Sequence, residues 1–176
     1  MARQGKATRA LVISAALAAL GVIALTLGSL IQVLDLTMAV IASLFAVLAV
    51  IELGGKYPWL VYVVTAILSM LLIPTKTAPL VYLCFAGYYP IIKAKLEGAR
   101  LHRALCLVIK LLIFNAALAI IVLVTVKVMM IPMPATWYYW LLPLLSLVFV
   151  LYDVALTRLI TAYLYRWRSR LTFLHK

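Results

Sequence analysis

Lys110 and Asp153 are ionisable residues set within long apolar runs, where an unpaired charge is costly. Lys110 follows Arg103 by seven residues, about 10 Å along a helix at 1.5 Å per residue. Asp153 precedes Arg158 by five, about 7–8 Å from the same side. The matched depths predict an ion pair between two antiparallel neighbours. Such a pair serves a structural lock or a proton relay. A relay needs a further ionisable group near the middle of the membrane, and the sequence offers none.

The other half of each apolar run carries a different chemistry. Gln32 and Asp35 end the first run, Lys76 stands between the third and fourth, and Tyr82 and Asn115 lie within the fourth and fifth. Lys127 closes the fifth, and Trp137, Tyr138, Tyr139 and Trp140 open the sixth. Aromatic walls with a few polar groups suit a small-molecule pocket, so Gln32, Tyr82, Asn115, Trp137, Tyr138 and Trp140 are the candidate substrate-binding residues. The aromatic quartet also has the composition of a membrane-interface belt. Asn115, a lone amide deep in an apolar helix, must face protein or water, as a helix–helix hydrogen bond or as a ligand contact.

Catalytic and metal-binding signatures are missing. There is no HExxH, GxSxG, P-loop or paired-carboxylate arrangement, so no enzyme, metal or cofactor is expected. Cys84 and Cys106 lack CxxC spacing and read as small apolar packing residues.

The elements that position these residues follow from composition. Of 176 residues, 68% are hydrophobic and 11% charged, with a mean hydropathy of +1.21. A soluble domain carries roughly 25% charged residues. That difference excludes a soluble enzyme and a nucleic-acid-binding domain, and leaves an all-α integral membrane protein. A crossing needs about 20 apolar residues. Reading between charges and prolines predicts a single six-helix domain over 1–176, with spans at about 10–34, 36–53, 58–74, 78–94, 104–128 and 137–160 and a basic tail over 161–176. The first apolar run, from Leu11 to Leu34, exceeds the roughly 7–15 residues of a signal sequence, and is expected to stay as a helix.

The net charge of +12 is an orientation signal. With six spans, every Lys and Arg except Lys76 and Lys127 falls on the side of the two termini, with Lys110 just inside it. Both termini are therefore expected in the cytoplasm. Lys93 through Arg103 reads as the one strongly charged internal loop, and Arg166-Trp167-Arg168-Ser169-Arg170 as a topology signal that continues the last helix or as a site for anionic lipid.

The first helix carries a dense run of small residues: Ser14, Ala15, Ala16, Ala18, Ala19, Gly21, Ala24 and Gly28. Ala15 and Ala19 share a face that allows close approach of another helix.

Length, six helices with both ends inside, and Ala15-Ala16-Leu17-Ala18-Ala19-Leu20-Gly21 together resemble the substrate-binding S components of energy-coupling factor (ECF) transporters. The resemblance implies an S-component-like bundle in a bacterial or archaeal plasma membrane. It implies docking of Ala15 and Ala19 on a transmembrane coupling subunit served by cytoplasmic ATPases. It also implies capture of a vitamin-like molecule near the outer face. The alternatives are a structural or assembly membrane protein without a ligand, and a lipid or isoprenoid-phosphate handling protein using its basic inner face.

Overall fold

The computed structural model describes residues 2–31, 34–99, 102–127, 130 and 135–167, the side chains of 2–4, 6, 103, 135–139, 141, 166 and 167 excepted. The described residues form helices joined by short turns, without a strand. In chain order they form α1 (Ala2–Leu30), α2 (Asp35–Glu52), α3 (Tyr57–Leu72), α4 (Thr77–Val81), a π-helical turn (Tyr82–Ala86), α5 (Tyr89–Gly98), α6 (Arg103–Lys127) and α7 (Ala135–Ala162). A second π-helical turn, Tyr163–Trp167, follows α7. Among the described residues, four stretches are long and apolar enough to cross a membrane: Ala7–Leu30, Asp35–Glu52, Ala104–Lys127 and Leu142–Tyr165. The chain is a multi-pass membrane protein by that measure. At 16 residues, α3 is a shorter apolar helix.

Local chemistry sets the breaks. Gly54 and Gly55 hold φ of 61° and 56°, the left-handed region that glycine enters without penalty. The Gly54 N–H reaches back to Ala49 O at 3.0 Å, closing α2 before α3 turns away. Pro58 and Pro90 stand in the first turns of α3 and α5, where a missing N–H costs nothing.

The first three helices make the tightest contact. In lipid there is little hydrophobic drive between helices, so small residues that admit close packing matter most. α1 supplies them on one face: Ser14, Ala18, Gly21, Ala24 and Gly28 are buried, whereas Ala15, Ala16 and Ala19 are exposed. A side chain at Gly21 would meet Thr65 Cγ2 at 3.0 Å, and Thr65 Oγ1 donates to Ala18 O at 3.3 Å. The pair α6–α7 is attached more loosely. Only 11% of each spanning window is buried there, against 33% in α1 and 39% in α2.

The fourth expected span is not a plain helix. α4 passes into the π-helical turn, closed by Gly87 N–H to Tyr82 O at 2.8 Å, and α5 then continues to Gly98. The Tyr62 hydroxyl donates to Leu83 O at 2.8 Å within that turn. Lys93 and Lys95, expected in a charged loop, are therefore helical, and Lys93 is fully buried. The residues over 168–176 of the expected basic tail lie outside the described residues.

Candidate functional site

α5 brings Tyr89, Lys93 and Glu97 to one face by their spacing of four. That face meets Lys110 of α6 and Asp153 and Thr157 of α7. Lys110 Nζ lies 3.0 Å from Asp153 Oδ2 and 2.7 Å from Glu97 Oε1. Lys93 Nζ is 2.8 Å from the same Glu97 oxygen, 2.8 Å from Thr157 Oγ1, and bonded to Asp153 Oδ1. Tyr89 donates its hydroxyl to Asp153 Oδ1 at 2.5 Å. Two ammonium and two carboxylate groups thus close a ring whose formal charges cancel.

Burial within the ring is uneven. The Lys93 side chain is 1% exposed, Lys110 7% and Asp153 17%, but Glu97 is 42% exposed. Isolated charges at such depth would be prohibitive, and mutual pairing with hydrogen bonding is what makes them tolerable. Asp153 is the hub, accepting from Tyr89, Lys93 and Lys110. Glu97, in the last turn of α5, is the rim. Burial acts to raise its carboxyl, but the hydrogen bonds from Lys110 and Lys93 outweigh it and hold the group below its usual range.

An aromatic plug adjoins the ring. Phe114 and Phe149 stack at 4.6 Å, and Phe85 meets both edge-on, with Tyr89 at 4.9 Å from Phe85. The Tyr152 hydroxyl shares a 2.9 Å hydrogen bond with Ser43, tying α7 to α2. Tyr163 donates to Glu52 at 3.1 Å, a second tie at the same end. Beyond the plug, the next charged residue along α6 is Lys127, about 25 Å from Lys110 at 1.5 Å per residue.

The far half of α6 carries an open, partly exposed hollow of about 470 Å³. Leu118, Ala119, Val122, Leu123 and Val126 of α6 and Leu142 of α7 line it, with Lys127 at its end. Its wall is apolar apart from that lysine.

The candidate binding residues are not gathered there. Tyr82 is fully buried in the core, its hydroxyl beside Thr65 without a regular hydrogen bond. Asn115 is half-buried and donates to Leu111 O of its own helix at 2.9 Å. Trp140 is 82% exposed. Gln32 lies outside the described residues, as do the side chains of Trp137 and Tyr138. Ala15 and Ala19 lie on the exposed face of α1.

Sequence reasoning paired Lys110 with Asp153 but missed Tyr89, Lys93, Glu97 and Thr157 as their partners. The i, i+4, i+8 spacing of Tyr89, Lys93 and Glu97 was the available signal. Cys84 and Cys106 are free and half-buried, and the described residues contain no cluster fit for a metal ion. Comparison with protein-family models, curated proteins and solved structures finds no match for this chain.

Proposed function

We propose that the chain crosses the membrane six times with both termini in the cytoplasm, and that it works as a substrate-capture subunit of the kind that serves energy-coupling factor importers. The observation that carries this reading is the open apolar hollow of about 470 Å³ along the far half of α6, with Leu142 of α7 at its side. Ligand sites usually enclose about 300–1,000 Å³ within mostly apolar walls and a few polar groups. Under the proposed orientation the cavity belongs to the outer half, with Lys127 near its mouth.

Two further features support the reading. The distribution of Lys and Arg among the loops favours an outward position for the hollow. The small residues of α1 are divided between two faces, and Ala15 and Ala19 stay exposed after the bundle has packed. That face suits a partner helix, since small side chains let backbones approach. Transport would then depend on ATPases in other chains.

The test is mass spectrometry of the purified protein for a retained small molecule, with affinity capture of a coupling subunit alongside. A retained ligand, and loss of the captured subunit on Ala15→Leu, are the expected results. No ligand and no partner, with Ala15→Leu indistinguishable from wild type, would instead leave a structural or assembly protein.

A further inference from the structure

We propose that Lys93 and Lys110 form a binding site for a phosphate group, that Glu97 fills this site with its own carboxylate, and that the site's natural occupant is the headgroup phosphate of an anionic lipid. The site itself does not depend on the capture function. Only its assignment to the inner leaflet rests on the orientation proposed above.

The two carboxylates of the ring are not equivalent. Asp153 sits within α7 with both oxygens engaged and three donors upon it. Glu97 engages one oxygen, Oε1, which takes both ammonium groups at 2.8 and 2.7 Å. Its side chain is 42% exposed and sits next to the end of α5, where the helix dipole disfavours negative charge. Among the described residues, the two lysines hold it. Its bond to Lys93 is an i, i+4 contact within α5, and its bond to Lys110 crosses to α6.

Removing Glu97 from the ring leaves Lys93 and Lys110 facing one carboxylate, an excess positive charge in a desolvated position. An incoming anion restores the balance. The two ammonium groups already converge on a single oxygen position, and a phosphate oxygen can take that place while the others stay in the headgroup layer. Exposed Arg158, next to Thr157 in α7, adds attraction for an anionic surface. At the rim of the membrane, lipid phosphate is the anion at hand.

The test uses the full-length protein in detergent and follows thermal unfolding. Inorganic phosphate is titrated against chloride at equal ionic strength, and in parallel micelles are doped with phosphatidic acid or phosphatidylcholine. Wild type should be stabilised by phosphatidic acid over phosphatidylcholine. Glu97→Gln, which removes the competing charge at constant shape, should bind inorganic phosphate about tenfold more tightly than wild type. Lys110→Met should abolish the gain. Should that variant fail to fold, broadening of the phosphorus resonance of phosphate by Glu97→Gln but not by wild type supports the site in its place. Equal phosphate affinity in wild type and Glu97→Gln overturns the site. A gain with inorganic phosphate but no preference for phosphatidic acid overturns the lipid as its occupant.

Discussion

The ammonium of Lys110 stands 3.0 Å from Oδ2 of Asp153, joining α6 to α7 through charges withdrawn from solvent. Asp153 also receives Lys93 and Tyr89 from α5, so one carboxylate holds three helices. Asp153→Ala leaves two buried lysines with only the half-exposed Glu97 between them. Removing one partner of a buried pair costs about 3–5 kcal/mol. Reversible unfolding in mixed micelles should register a loss of that size. A loss below about 1 kcal/mol would show that water reaches the ring.

Glu97 gives the ring a dependence on acid. Its carboxyl titrates below its usual range in the folded protein, so its contribution is complete above the unfolded value of about 4.3 and is lost as pH falls through the folded one. Melting temperatures of wild type and Glu97→Gln should therefore differ by a constant amount from pH 7 to 5 and converge below about pH 4. Curves that stay parallel to pH 3 would contradict the pairing.

Gly87 faces aromatic rings rather than open space. A Cβ there would meet Tyr62 Cδ2 at 2.5 Å and Tyr82 Cε1 at 2.7 Å. Gly87→Ala should destabilise by about 1–3 kcal/mol, the usual cost of overpacking. It should also weaken the Tyr62 bond to Leu83, visible as faster amide exchange across the π-helical turn.

The tie between α7 and α2 predicts a smaller effect. Tyr152→Phe removes the 2.9 Å bond to Ser43 at almost unchanged volume. A loss of about 0.5–1.5 kcal/mol is expected in the same unfolding assay.

Filling the cavity separates capture from stability. Leu123 lines it and is largely exposed, so Leu123→Trp should leave unfolding within about 0.5 kcal/mol of wild type. The same variant should lose at least about tenfold of any retained ligand. Retention equal to wild type would place the ligand elsewhere.

The long apolar runs that became α1, α2, α6 and α7 were legible because length and hydropathy decide them. The Lys110–Asp153 contact was legible from matched depth alone. Lys93 was misplaced because a lysine beside further charges reads as a loop. What keeps it inside is tertiary: Asp153 and Thr157 come from 60 and 64 residues away. The π-helical turn left no mark in the sequence either, since the hydroxyl that meets Leu83 O comes from Tyr62, on another helix. Tyr82 looked like a ligand contact by its position, but the absence of a side chain at Gly87 lets it close into the core. The cavity escaped notice because Leu, Val and Ala on α6 look the same facing lipid or lining a hollow.

The ring also imposes an order on biogenesis. Asp153 is separated from Lys110 by 43 residues and from Lys93 by 60, and it lies in α7, which leaves the ribosome after α5 and α6. Until α7 emerges, Lys93 and Lys110 have one carboxylate of the ring, Glu97, to share. α7 delivers the missing counter-charge, so its arrival marks the moment at which α5 and α6 can settle in place. A folding intermediate halted before α7 should hold those helices nearer the surface, and be open to quality-control proteases that finished protein resists.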